Sequence, residues 1–472
     1  MSGFRSRSRR SVQQEKEQAK RRQRVERPAR EERPDVDEPR LAAFDVLTQV
    51  REEDAYANLV LPKMLRQRGI RGRDAAFATE ITYGTLRTLG VLDAVIDAAS
   101  TRPVENIDPA LLDALRLGAY QVLYTRVEPH AAVDTTVRLV AEKVKGFANG
   151  LMRTLTRSSR ESWLAKAAPK GEVPELAFRH AHPTWIAESF ARTIGIGELG
   201  AALEADSERP KVHLAARPGE MSAEELALIT GGEEGKYSPY AVYLDGGDPG
   251  ALEPVRQGLA AVQDEGSQLI ARAVVQAPIE GEDTGRWLDL CAGPGGKAAL
   301  MGALARIDGA RVDAVEIAPH RAQLVAQLTD GLPVDVHVAD GKKSGLKPGY
   351  DRILVDAPCS GLGALRRRPE ARWRKQESDI AELSVLQFEL LSAAYELLRP
   401  GGTVVYSTCS PDLRETREVV DRAVRELGAE ELDAHPLVPG MSDVGFEKSV
   451  QMWPHRHGTD AMFFAVLRKP VT

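Results

Sequence analysis

Apolar residues between positions 36 and 165 recur at three- and four-residue spacing, the period of a helix that turns one face to a core. Leu41, Phe44, Leu47 and Val50 form one stripe, and Ile81, Leu86 and Leu89 a second. Leu111, Leu112, Leu115, Leu117, Tyr120 and Leu123 form a third, and Val133, Val137 and Val140 a fourth. Asp108-Pro109 and His130-Ala-Ala-Val-Asp134 read as helix starts, because an aspartate or a proline serves an unpaired first turn. The prediction is an all-helical unit over residues 36–165. A Pro- and Gly-containing stretch, Ala168 to Pro174, separates it from the rest of the chain.

His182-Pro-Thr-Trp185 opens a further helix, and Lys211 to Gly258 then mixes short patterns. Val212 and Leu214 alternate as in a strand, Ala223–Thr230 is helical, and Ala241–Leu244 is strand-like. Residues 170–260 are expected to form a small α+β module. From Val262 the pattern settles into strands alternating with helices. Trp287–Leu290 precedes a glycine turn and a helix over 297–306; Val312–Val315 ends in Glu316. Val334–Val338 leads to Asp340, and Arg352–Val355 to Asp356. A helix over 378–398 stops at Arg399-Pro-Gly-Gly402, and Thr403–Tyr406 ends in Ser407. Such alternation predicts an α/β doubly wound sheet over residues 261–472, with ligands bound at the strand C-termini.

Length and composition fit several domains: 472 residues with 43% hydrophobic positions suffice for real cores. No run of 18 apolar residues occurs, so no membrane segment is expected, and the charged N-terminus lacks the apolar stretch of a secretory signal. Net charge is −6, but residues 1–30 carry 11 Lys/Arg against 3 Glu. That low-complexity basic tail (residues 1–35) is expected to be disordered and to attract phosphates without sequence preference. Arg366, Arg367, Arg368, Arg372, Arg374 and Lys375 form a second basic cluster, read as a grip on nucleic acid. The three cysteines are too far apart for a zinc pair, and their number argues for a reducing, cytoplasmic setting rather than disulfides. His455 and His457 form an isolated HxH, read as loop, and no metal is expected.

The chemistry concentrates at the strand ends. Gly293, Gly295 and Gly296 let backbone approach a ligand that Cβ atoms would exclude. Lys297 is followed by Ala298, which excludes a phosphate-binding Walker loop. Glu316 fits a carboxylate gripping ribose hydroxyls, as a dinucleotide site would also have. Asp340, a further acid at the third strand end, is placed for an exocyclic adenine amine; the set points to S-adenosylmethionine. All three cysteines lie in such turns: Cys291 in Asp289–Lys297, Cys359 in Asp356-Ala-Pro-Cys-Ser-Gly361, and Cys409 in Ser407-Thr-Cys-Ser410. Cytosine C5 is not nucleophilic. Its methylation needs a thiolate to add at C6, and two thiols at neighbouring strand ends suit attack and release.

These three motifs resemble those of the RNA (cytosine-5)-methyltransferases. The resemblance extends to Val262-Gln-Asp-Glu-Gly-Ser-Gln268, to Gly458-Thr-Asp460 and to Phe463-Phe464. Arg73–Glu80, Tyr83–Arg87, Phe147-Ala-Asn149 and Leu151-Met-Arg153 resemble a NusB-like RNA-binding domain, a combination typical of the bacterial small-subunit rRNA branch (RsmB/Sun-like). The resemblance implies a Rossmann-like methyltransferase sheet, S-adenosyl-L-methionine as cofactor, and small-subunit rRNA as substrate for a monomeric enzyme. It implies Cys409 as nucleophile, Cys359 as the residue assisting release, Asp356 on the cytosine edge and Lys297 supporting the catalytic loop. The cofactor would lie against Cys291, Ala292, Gly293, Pro294, Gly295, Gly296, Lys297, Glu316, Asp340 and Asp356. After Cys409, Ser410-Pro-Asp-Leu-Arg-Glu415 departs from the usual apolar-Pro-Glu-Glu-Asn run. A transfer RNA or other RNA cytosine-5 enzyme, and a non-catalytic NusB-like RNA-binding factor, remain as alternatives.

Overall fold

The computed structural model describes residues 36–471; the basic tail read at residues 1–35 lies outside them. The N-terminal helices run Glu38–Glu53, Ala57–Arg68, Gly72–Arg87, Leu89–Ala99, Pro109–Tyr124, Pro129–Leu139, Lys145–Leu155 and Arg160–Ala167. Their apolar stripes meet in one core that includes Phe44, Leu47, Ile81, Leu86, Leu92, Leu115 and Leu117. Asp108 caps its helix as expected, accepting from the backbone N–H of Ala110 (3.1 Å) and Leu111 (3.3 Å). The next helix starts one residue before His130, at Pro129, whose missing N–H suits a first turn. Asp134 therefore sits inside that helix and pairs with Arg138 one turn on. The separator also shortens. A helix over Glu172–Arg179 begins inside the Pro/Gly stretch, because Pro174 falls in its first turn, where proline costs no hydrogen bond.

Helices Glu172–Arg179, Thr184–Ile194 and Ile196–Ser207 share a core with Leu362, Leu365, Ile380 and Trp453 of the C-terminal region. Beyond them β1 (Val212–Ala216), β2 (Glu233–Glu234), β3 (Ala241–Leu244) and β4 (Ala260–Val262) form an antiparallel sheet in the order β2-β3-β1-β4. The helix Ala223–Thr230 covers one side of it, packing through Ala223 and Leu226.

The C-terminal sheet comprises β5 (Arg286–Asp289), β6 (Arg311–Glu316), β7 (Val334–Val338), β8 (Tyr350–Asp356), β9 (Leu398–Thr408), β10 (Glu430–Leu432), β11 (Val450–Gln451) and β12 (Phe463–Arg468). Its order is β10-β12-β9-β8-β5-β6-β7, with β11 beside β12. The five strands β9-β8-β5-β6-β7 are parallel, and β12 and β10 add antiparallel to β9 and β12. One face packs on helices Glu265–Gln276 and Gly296–Asp308, the other on Ser378–Leu397 and Arg417–Leu427. This is the doubly wound α/β arrangement expected, and chain order reverses between β5 and β8, where such sheets open a ligand crevice. Strand β9 is longer than its apolar core suggested. It takes in Arg399-Pro-Gly-Gly402, where Gly401 adopts φ +80° and bonds backbone to Glu280 and Lys469. Among the described residues, no helix is long and apolar enough to cross a membrane.

Four of the six residues of the basic cluster are engaged within the protein. Arg366 and Arg367 bind Asp460 (2.8 and 2.7 Å), and Arg367 also binds Asp264 (2.7 Å). Arg372 is fully buried on the backbone oxygens of Ala181 and Asp206. Arg374 donates to the backbone of Val50, Asp54 and Ala55, and Trp373 donates to Leu86 O (3.0 Å). The segment after Cys359 thus fastens the C-terminal sheet to both preceding units. A run of charge in a sequence does not reveal that its partners are supplied by distant segments. His455 and His457, read as loop, lie on the helical turn Pro454–His457 and bond to Glu198 and to Ser442 O.

Candidate active site

Strand β5 ends at Asp289, and residues 291–295 turn sharply into the helix Gly296–Asp308. Gly293 is required there: a Cβ would stand 2.1 Å from Glu316 Oε2. Glu316, closing β6 and almost fully buried, holds the turn by accepting from Gly293 N (3.1 Å) and Ala318 N (2.9 Å). Arg321 closes over it, donating to Gly293 O. Gly295 has φ +116°, and a Cβ there would meet Val325 Cα at 2.9 Å. Ala292 N donates to Val315 O, so the turn lies flat against the end of β6. Asp340, beyond β7, caps the short turn Gly341–Lys343 through Lys342 N (3.0 Å) and keeps one carboxylate oxygen free of that bond.

Several groups that sequence reasoning passed over border the same crevice. Asp289 is buried, its Oδ2 without a partner, and its carboxyl is pushed up to about 7, first by burial and then by Asp356. Gln263 is 8% exposed, its Nε2 is likewise unpartnered, and it points at Gly296. Ile317 and Val338 stand 64% and 58% exposed beside the acids of β6 and β7. An unpaired acceptor, an unpaired donor, a glycine cradle and two bare apolar side chains fit an amino acid and an adenosine joined in one ligand. The signals were present in the sequence: an acid opening the glycine turn, and apolar residues beside acidic strand ends.

Strands β8 and β9 bring the remaining residues together. Asp356 pairs in register with Ser407; its Oδ1 accepts from Ser407 Oγ (2.8 Å) and its Oδ2 from Lys297 Nζ (2.7 Å). Past these strand ends, Cys359 Sγ and Cys409 Sγ lie 3.3 Å apart, 50 residues distant in sequence, each partly open to the crevice. Gly363 N donates to Cys409 O, which joins the two loops. The thiols differ. Cys409 is lowered, first by the hydrogen bond from Cys359 and also by the Lys297 ammonium, against the opposing effect of burial. Cys359 is raised well above a free thiol, first by that same hydrogen bond, then by burial, by Cys409 itself and by the nearby carboxyls of Glu415 and Asp356. Lys297 is raised: burial opposes its charge, and Asp356 together with Cys409 and Asp289 outweighs burial. Cys291 packs against the core, and burial, with the nearby Asp289, pushes its thiol up. The arrangement can present one thiolate, one thiol and a carboxylate–ammonium pair beside a cofactor crevice.

Comparison with known proteins identifies the family. Residues 274–468 match the family described as 16S rRNA methyltransferase RsmB/F, and residues 37–157 match the NusB family. A putative methyltransferase of Mycobacterium tuberculosis is 58% identical over 92% of this chain and 97% of its own length. The ribosomal RNA small subunit methyltransferase B of Cronobacter sakazakii is 34% identical over 91% of this chain and 98% of its own. The crystal structure of PH0851 superposes with a TM-score of 0.77 at 22% identity, covering 92% of this chain and 99% of that one, which shows a shared fold. The chain belongs to the RsmB/F family of S-adenosylmethionine-dependent rRNA methyltransferases.

Proposed function

We propose that this enzyme methylates C5 of a cytosine in 16S rRNA through a covalent bond between Cys409 and cytosine C6. The observation that carries this reading is the 3.3 Å approach of two unequal thiols at the ends of adjacent parallel strands, beside the Lys297–Asp356 pair. S-adenosylmethionine supplies an electrophilic methyl group when bound. Glycines 293, 295 and 296, Glu316, Asp340 and Asp289 are the residues that would hold it, with Cys291, Ala292 and Pro294 forming the wall of the turn.

Cys409, as thiolate, adds to C6, and the C5=C6 electron pair makes C5 nucleophilic towards the methyl group. Asp356, fixed by Lys297 and Ser407, is placed to orient the cytosine edge. Once C5 carries the methyl group, a base removes its proton; as the C5–H pair re-forms the C5=C6 bond, the C6–S pair leaves with Cys409, whose sulfur accepts a hydrogen bond from the S–H of Cys359. Such attack needs an unstacked base, so the substrate is an unpaired or flipped cytosine. In this reading residues 36–165 and 170–260 bind flanking RNA in the cytoplasm, and residues 261–472 carry the chemistry.

The test supplies methyl-labelled S-adenosylmethionine with 16S rRNA and, separately, with transfer RNA, followed by nucleoside analysis. The expected product is 5-methylcytidine in 16S rRNA. Label confined to transfer RNA would overturn the substrate, and label on any other atom would overturn the mechanism.

A further inference from the structure

The two cysteine loops share a buried carboxylate that the cytosine mechanism leaves unused. Glu415 is fully buried. Its Oε1 accepts from Ser360 N (2.8 Å) and Gln387 Nε2 (3.0 Å), and its Oε2 from the Ser360 hydroxyl. Ser360 follows Cys359, Ser410 follows Cys409, and their hydroxyl oxygens are 3.1 Å apart. Gln387 also donates to Pro358 O (2.9 Å), and Tyr406 OH donates to the Glu415 carbonyl (2.6 Å). One side chain thereby sets the loop of the first thiol against the loop of the second. These partners are backbone N–H, amide and hydroxyl groups, each donating to the buried carboxyl.

We propose that Glu415 is a positioning residue: it fixes the loops that carry Cys359 and Cys409 so that the two sulfurs stand at reacting distance with distinct surroundings. This rests on the two-cysteine reading of the reaction. The charged and titratable groups facing Cys359 are Cys409, Glu415 and Asp356. Those facing Cys409 are Cys359, Asp356, Lys297 and Asp460. Asp356 faces both; Cys359 is raised first by its hydrogen bond with Cys409, then by burial and by Cys409 itself, and Glu415 adds to that preference on this side while Lys297 adds to it on the other. With Cys359 kept protonated, its S–H stabilises the Cys409 sulfur before attack and again when the C6–S electron pair returns to it. Without Glu415 the two sulfurs compete for one proton, and the fraction of enzyme ready to attack falls.

The experiment combines two readouts on Glu415→Gln. In a Cys409→Ser background, the pH dependence of Cys359 alkylation is followed by mass spectrometry, with and without Glu415→Gln. The midpoint should fall by about 1 pH unit. In the otherwise unaltered enzyme, Glu415→Gln should lower kcat about tenfold or more, with S-adenosylhomocysteine affinity unchanged. An unmoved Cys359 midpoint together with unchanged kcat would overturn the proposal. Should Glu415→Gln fail to fold, Glu415→Asp serves: it keeps the charge and shortens the reach. A wild-type Cys359 midpoint with reduced kcat then supports the positioning role, and wild-type kcat overturns it. Failure of the wild-type enzyme itself to methylate cytosine would instead overturn the reading on which the proposal rests.

Discussion

Lys297 and Asp356 meet at 2.7 Å, and through them the cofactor turn is tied to the strand that leads into Cys359. Lys297 sits in the first turn of the helix after the glycines; Asp356 is the last residue of β8. The pair has consequences on both sides, because the same ammonium also faces Cys409.

Removing the charge by Lys297→Met raises the Cys409 thiol. The acid limb of the kcat–pH profile should move to higher pH by about a unit, and activity at neutral pH should fall roughly tenfold or more. A profile of unchanged position with reduced amplitude would show that Lys297 does not act through the thiol.

Asp289 gives a pH dependence of the opposite sense. Its carboxyl titrates near 7 because burial and Asp356 favour the protonated form. A folded-state value above the unfolded one means that its contribution to stability is present at low pH and lost as pH rises through 7. Binding of a cationic amino-acid head beside Oδ2 should expel that proton. Below pH 7, titration calorimetry in buffers of different ionisation enthalpy should show proton release on S-adenosylhomocysteine binding, and Asp289→Asn should abolish it.

The turn itself tolerates little. A methyl group on Gly293 would collide with the Glu316 carboxylate, which is held by two backbone amides and cannot swing away freely. Gly293→Ala should weaken S-adenosylhomocysteine binding by about 1–3 kcal/mol, one to two orders of magnitude in Kd, while the thermal unfolding of the N-terminal helices is unaffected.

The strands, their acids and the cysteine turns were legible because each is local: an apolar run, then a turn residue, then a reactive or acidic side chain. What was not legible is pairing across the chain. Arg366, Arg367, Arg372 and Arg374 read as a surface for phosphate, yet their partners come from residues 50–55, 181, 206, 264, 458 and 460. Glu415 was seen only as part of a departure from a motif, since its role depends on Ser360 and Gln387 folding onto it. Gln263 was quoted as part of a matching segment, but no spacing announces that its amide reaches Gly296.

Arg367 tests that correction. Arg367→Ala would remove one of the partners of Asp264 and Asp460, with Arg366 still beside both, and should cost about 1–3 kcal/mol in urea unfolding. The salt dependence of RNA binding by the folded fraction should keep its slope, because a phosphate contact has not been removed. A slope reduced by about one would restore the nucleic-acid role.

The most direct measurement is a covalent trap. Cys359→Ala and Cys409→Ala are incubated separately with 16S rRNA and S-adenosylmethionine and run on denaturing gels. The account predicts a stable protein–RNA adduct for Cys359→Ala, which attacks without release, and neither adduct nor product for Cys409→Ala. An adduct formed by Cys409→Ala and absent from Cys359→Ala would exchange the two roles and contradict the assignment of Cys409 to attack and Cys359 to release.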